Sequence, residues 1–146
     1  MMAGGGNHRG SIFRLHVGQA MLAAEMGSDT VALSWGKGGS ASREIREREH
    51  ELECRVSTYI GALPLLWLDV PDAPGTASMR RTLERRSIAL LSGVSEPSPD
   101  PPSSAWLGLY SPRAMIRESG LWNVDHVSEA WDADFLTILD AAIRRM

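Results

Sequence analysis

The run "SREIREREHELECRVSTYI" at 42–60 does most to limit what this chain can build. Charge crowds it, and its apolar residues Ile45, Leu52, Val56 and Tyr59 recur at spacings of seven, four and three. Those spacings fall on one narrow stripe of a helix, so the segment predicts a mostly solvated helix resting on a thin seam. Tyr59 and Ile60 complete its last turn, and Gly61 stands where a left-handed cap is expected. Such a seam is also suited to pairing with a copy of itself or with a partner. A non-enzymatic interaction module working through residues 43–60, with a homodimer as one form, is therefore one functional reading.

The next segment, "LPLLWLDV" at 63–70, is short, rich in large apolar residues and bounded by Pro64 and the turn "PDAPG". Both of its alternating faces are apolar, as in a central strand buried on two sides. Residues 30–35 are its one candidate neighbour. The expected fold class is thus α+β: a mostly helical single domain with a small or incomplete β element, a strand over about 63–70 paired at most with 30–35.

Helical spacing recurs elsewhere. "SIFRLHVGQAMLAAEM" at 11–26 offers Ser11 as N-cap, and "TASMRRTLERRSIALLSG" begins at Thr76 or Ser78 and ends at Gly93. "SPRAMIRESG" has Ser111 as cap, Pro112 at its first position and Gly120 at its end. "DADFLTILDAAIRRM" carries a wide apolar face, with acids at its start and Arg144 and Arg145 at its end. Residues 1–10 read as an unstructured start, the Pro/Ser-rich stretch "VSEPSPDPPSSA" as a surface loop, and Trp67, Trp106 and Trp131 as core anchors. A chain of 146 residues with 43% apolar content can bury one real core and is too short for two domains of ordinary size.

A formal net charge of −3 excludes adhesion to nucleic acid by bulk charge, so any phosphate contact needs a local basic face. Lys37 is the one lysine among 15 basic residues, and arginine suits bidentate phosphate contacts. Two such faces stand out: His8, Arg9, Arg14 and His16 near the start, and Arg80, Arg81, Arg85 and Arg86 further on. Cys54 is alone, which rules out a disulfide framework and points to a reducing compartment, the cytoplasm by default. The longest apolar run, 60–68, is interrupted by Gly61 and Pro64 and falls short of the roughly 20 residues a membrane helix needs. "GKGGS" lacks the Walker spacing. Asp125, His126 and Glu129 have metal-ligating side chains at short spacing but read as a helix cap with a surface histidine. Glu84, read from spacing alone, forms an ion pair with Arg80.

Several phrases in one order, "GNHRGSIFRLHVG" (6–18), "REREHELECRVSTYIGALPLLWLDV" (46–70), "LERRSIALLSG" (83–93) and "DPPSSAWLGLYSPRAMIRESGLWNVDHV" (100–127), resemble the C-terminal two-thirds of a prokaryotic branch of the GIY-YIG nuclease-like superfamily. The resemblance implies a small antiparallel sheet and metal-dependent hydrolysis of a DNA phosphodiester. It makes 63–70 the third strand, Glu84 the carboxylate that holds a divalent metal (Mg or Mn), and Asn123 in "GLWN" the closest match to the Asn that helps hold the site. In such chemistry the metal withdraws charge from the phosphate while an Arg stabilises the charge that develops.

The departures shape the expectation as much as the matches. No "GIY" occurs, and the "YIG" at 59–61 ends a charged helix, so that tripeptide is a coincidence. The two strands that carry the family's name and the Arg-bearing helix after them are expected to precede Gly6. On this reading the chain is truncated, through gene decay or a misplaced start codon. A Glu without the Tyr and Arg that act on the phosphate lacks the positioned groups catalysis requires, so the chain is expected to be inactive alone.

Overall fold

The computed structural model describes residues 4–25, 30–73, 75 and 78–145. Among them run six α-helices: α1 (Ile12–Ala24), α2 (Thr30–Ser34), α3 (Arg43–Gly61), α4 (Met79–Leu91), α5 (Ala114–Ser119) and α6 (Ala133–Ile143). Short 3₁₀ turns lie at His8–Gly10 and Leu107–Tyr110. No helix among the described residues is long and apolar enough to cross a membrane.

Local chemistry sets the helix starts. Ser11, Ser42, Ser78 and Asp132 each accept a hydrogen bond from a backbone N–H three residues on, which satisfies a donor the helix leaves open. On its outer side α3 is laced by the pairs Arg43–Glu47 at 2.7 Å and Glu44–Arg48 at 3.8 Å. Its seam supplies Leu52 and Val56 to a core completed by Val17 of α1 and by Trp35 just after α2. Gly18 is what lets Trp35 in, because a Cβ there would lie 2.2 Å from the indole. Around this centre Trp122 is a hub, with ring centroids 6.1 Å from Phe13, 6.2 Å from Tyr59 and 5.2 Å from Trp106. Tyr59 is thus a packing residue of α3's last turn, held edge-on to an indole. The seam expected to serve a partner is occupied from within the same chain.

The expected α+β class is corrected: among the described residues there is no strand. Residues 30–34 are helical, and this carries Val31 onto the core and sets Trp35 inside it. Residues 63–70 form no regular element and pair with no neighbouring strand, with Leu65 84%, Leu66 95% and Trp67 68% exposed. The physical reason is that a strand is defined by its ladder. An apolar, β-prone run with no neighbour forms no sheet, however well its residues would suit one. Trp67 accordingly anchors no core, whereas Trp106 and Trp131 are half-buried.

Smaller corrections follow the same pattern. Gly61 lies inside α3, whose cap is Ala62 in a right-handed conformation, and α4 is capped by Ser92 rather than Gly93. Helix α5 starts after Arg113, whose N–H donates to Ser111 Oγ at 3.2 Å, while Gly120 ends it at φ 73° as the spacing predicted. On α6 Phe135 alone is buried, and Leu136 and Ile143 are about half exposed.

Candidate nucleic-acid interface

Helix α4 carries the expected basic face. Asp72 folds back over its start, accepting from the N–H groups of Met79 at 2.6 Å and Arg80 at 3.4 Å. Leu83 and Ala89 face inward, while Arg80, Arg81, Glu84 and Arg85 stand exposed on the other side. At its far end Gly93 N–H donates to Ser119 O at 2.9 Å, Ser92 Oγ to Val127 O at 2.5 Å and Ser95 Oγ to Ser128 O at 3.2 Å. Those bonds fasten the loop between α5 and α6 against α4 and bring His126, Glu129 and Asp132 to its arginines.

Two hollows result. One, of about 310 Å³, is lined by Gly75, Ser78, Arg80, Arg81, Glu84, Arg85 and His126. The other, of about 340 Å³, lies beside it along the same helix, and Arg81 and Arg85 line both. Arg86 pairs with Asp132 at 2.8 Å, and Arg85 Nε donates to Glu129, whose other oxygen lies 2.7 Å from His126 Nδ1. The hydrogen bond from Arg85, then that from His126, holds the Glu129 carboxyl below its ordinary range, and the same Glu129 bond raises Arg85.

Among the described residues Arg81 and Glu84 have no salt-bridge partner. The Arg80–Glu84 pair that spacing suggests does not form, because the Arg80 guanidinium turns to the carbonyls of Val70 at 3.1 Å and Asp72 at 3.3 Å. Asn123 is half-buried in the loop after α5 and lines neither hollow.

The other expected basic face is built into the protein. Arg9 makes a two-pronged pair with Glu49, Nη1 to Oε2 at 2.6 Å and Nη2 to Oε1 at 3.0 Å. Arg14 Nη2 donates to Glu53 Oε2 at 2.6 Å, to Glu53 O at 2.9 Å and to Ser57 Oγ at 2.9 Å. His8 stacks on Trp35 at 3.8 Å, places Nδ1 3.0 Å from Glu53 Oε1, and accepts from Gly36 N–H at Nε2, 3.1 Å away. Its ring is therefore the tautomer protonated at Nδ1. His16 is buried on α1, and burial pushes its pKa down, with the charge of Arg113 adding to the effect. Arg9 and Arg14 neutralise Glu49 and Glu53, and none of these four residues lines either hollow on α4.

The sequence reads Asp132 only as an acid at the start of the last helix and sets His126 and Glu129 aside as a helix cap with a surface histidine; the structure instead places those two in the loop between α5 and α6, facing α4. Their signal was the His-x-x-Glu spacing at 126–129, legible as a pair but not as a pair facing a helix forty residues upstream. The hollow around Glu84 also bears on the metal that the resemblance implies. It contains one carboxylate and one imidazole among the guanidiniums of Arg80, Arg81 and Arg85. Among the described residues no three His, Cys, Asp or Glu side chains are grouped to hold an ion. A divalent cation takes oxygen-rich, net-negative surroundings, and this donor set, with its excess of positive charge, does not fit one.

No curated protein and no solved structure gives a match to this sequence. The sequence pattern of the GIY-YIG domain, a family made up generally of nucleases, matches residues 1–146, and the chain therefore belongs to the GIY-YIG domain family.

Proposed function

We propose that this endonuclease-like chain holds the backbone of DNA along α4, chiefly through Arg81 and Arg85, and that Glu84 as placed here does not support hydrolysis. The observation that carries this reading is the solvent-facing row of arginines on one helix, Arg81 without a salt-bridge partner among the described residues and Arg85 on a carboxylate it can exchange. Swapping an exposed carboxylate partner for a phosphate costs little, because water screens a surface ion pair and leaves it a small net contribution. Arginine then offers a planar fork that matches two phosphate oxygens at once. Glu84, by contrast, faces the arginines without a second acid beside it in the hollow.

The test has two arms. Anisotropy of a labelled duplex at rising salt should give a log–log slope of about −2 to −4, as expected for a handful of phosphate contacts. Arg81→Ala with Arg85→Ala should remove most of that slope, and Arg43→Ala with Arg48→Ala on the outer side of α3 should not. Supercoiled plasmid with Mg²⁺ or Mn²⁺ should stay intact; nicking that vanishes in Glu84→Ala would overturn the inactive reading, and a salt-independent or absent interaction would overturn the binding one.

A further inference from the structure

The loop that docks on α4 contains a backbone conformation that asks for a reason. His126 has φ 62°, the one non-glycine residue with a positive φ among those described. Holding an L residue there costs about 1–2 kcal/mol, and glycine would occupy the position without that cost. What the conformation achieves is an aim. It places the imidazole in the wall of the hollow that also holds Arg81, Arg85 and Glu84.

The ring is then fixed from behind. Nδ1 lies 2.7 Å from Glu129 Oε1, Glu129 N–H donates to His126 O at 3.3 Å, and the second carboxylate oxygen is bound to Arg85 Nε. One carboxylate thus sets the orientation of both an imidazole and a guanidinium. The remaining ring nitrogen, Nε2, has no hydrogen-bond partner among the described residues, and the side chain is about one-third exposed. A proton on Nδ1 directed at a carboxylate leaves Nε2 as the working edge of the ring.

We propose that His126 Nε2, Arg81 and the terminal nitrogens of Arg85 form a seat for one phosphate group of the bound nucleic acid, with Glu129 as the positioning residue. The inference rests on the reading that α4 binds DNA, and it narrows that reading to a defined subsite. Nδ1–H stays on Glu129 while Nε2 takes a proton from the solvent as the anion arrives and donates it in a hydrogen bond to one phosphate oxygen; the guanidiniums take the others. The carboxylate of Glu84 shares the hollow and repels an anion, so the phosphate sits toward His126. Arg80 is turned away to the carbonyls of Val70 and Asp72 and stays outside the seat.

The decisive variant is Glu129→Gln, since it sets two explanations against each other in sign. It removes one negative charge from the binding face, so attraction by bulk charge alone predicts tighter binding to duplex. The seat predicts binding about threefold to tenfold weaker, because the imidazole and Arg85 lose the carboxylate that aims them. His126→Gly keeps the backbone conformation without strain, so the fold should hold with an unchanged or higher melting temperature. Its affinity should fall about tenfold and its salt slope by roughly one. Should duplex binding be absent altogether, the broader reading fails, and the seat is judged by itself with inorganic phosphate. Long-range ¹H–¹⁵N spectra should then show a saturable shift of the His126 Nε2 resonance that Arg81→Ala abolishes. Equal or tighter duplex binding by Glu129→Gln, unchanged binding by His126→Gly, or a silent Nε2 in phosphate would each overturn the proposal.

Discussion

Arg9→Ala is the most informative single change to the fold, because it isolates one charge. Arg9 and Glu49 meet through two hydrogen bonds, and their side chains are only 6% and 2% exposed. Removing the guanidinium leaves Glu49 buried on α3 with its strongest partner gone. Breaking a buried pair from one side costs about 3–5 kcal/mol. At roughly 2–4 °C per kcal/mol for a chain of this size, the melting temperature should fall by about 6–20 °C. The loss should also depend on pH in a particular direction. In the wild-type protein burial alone would raise the Glu49 pKa, but hydrogen bonds from Arg9 and Ser34 and the charge of Arg9 hold it below its usual range. Glu49 therefore contributes stability above the unfolded carboxylate pKa, and that contribution is lost as pH falls through the folded value. In Arg9→Ala burial acts with little opposition and the folded pKa rises above the unfolded one, so the variant gains by protonation. The deficit should be largest near neutral pH and should shrink toward about pH 4. Urea unfolding at the two pH values measures it. Replacing the pair together, Arg9→Met with Glu49→Leu, should come within about 1 kcal/mol of wild type or exceed it, since no lone charge remains. A single-variant loss below about 1 kcal/mol, or one that is the same at both pH values, would refute the argument.

Two further substitutions probe packing. Gly18→Ala drives a methyl group to within 2.2 Å of the Trp35 indole and should cost about 1–3 kcal/mol, with a shift in tryptophan fluorescence as the ring moves. Phe135→Ala, at the one buried position of α6, should lose about 3–5 kcal/mol by chemical denaturation, while Leu66→Ala at a fully solvated site should change stability by less than about 0.5 kcal/mol.

What the sequence made legible was local. Ser11 as a cap, Gly120 as a left-handed stop, and Tyr59 and Ile60 in the last turn of α3 each follow from a few neighbouring residues, and each is found. Pairing over distance was not legible. Residues 49, 52, 53 and 56 have the full spacing of a buried helix face, yet Glu at two of those positions disguises it. Only the meeting with Arg9 and Arg14, about forty residues earlier, allows those acids inside. The strand expected at 63–70 failed for the converse reason, since its residues suit a sheet but no described segment supplies its ladder. At the α4 site the arginines could be read from the sequence. The loop that brings His126 and Glu129 against them is held by serine-to-carbonyl bonds, and these leave no periodic trace.

The unpaired segment after α3 has a consequence for handling the protein. Within the six-residue run 65–70, Leu65, Leu66 and Trp67 present large side chains to water, a length and composition that invite stacking of one molecule on the next. Pro64 and Pro71 close the segment at both ends and Asp69 interrupts it, a gatekeeper arrangement that denies a growing fibril its outer N–H donor and places a repelling charge in every layer. Replacing Pro64, Asp69 or Pro71 by an apolar β-former is therefore expected to promote association in concentrated solution without touching the core.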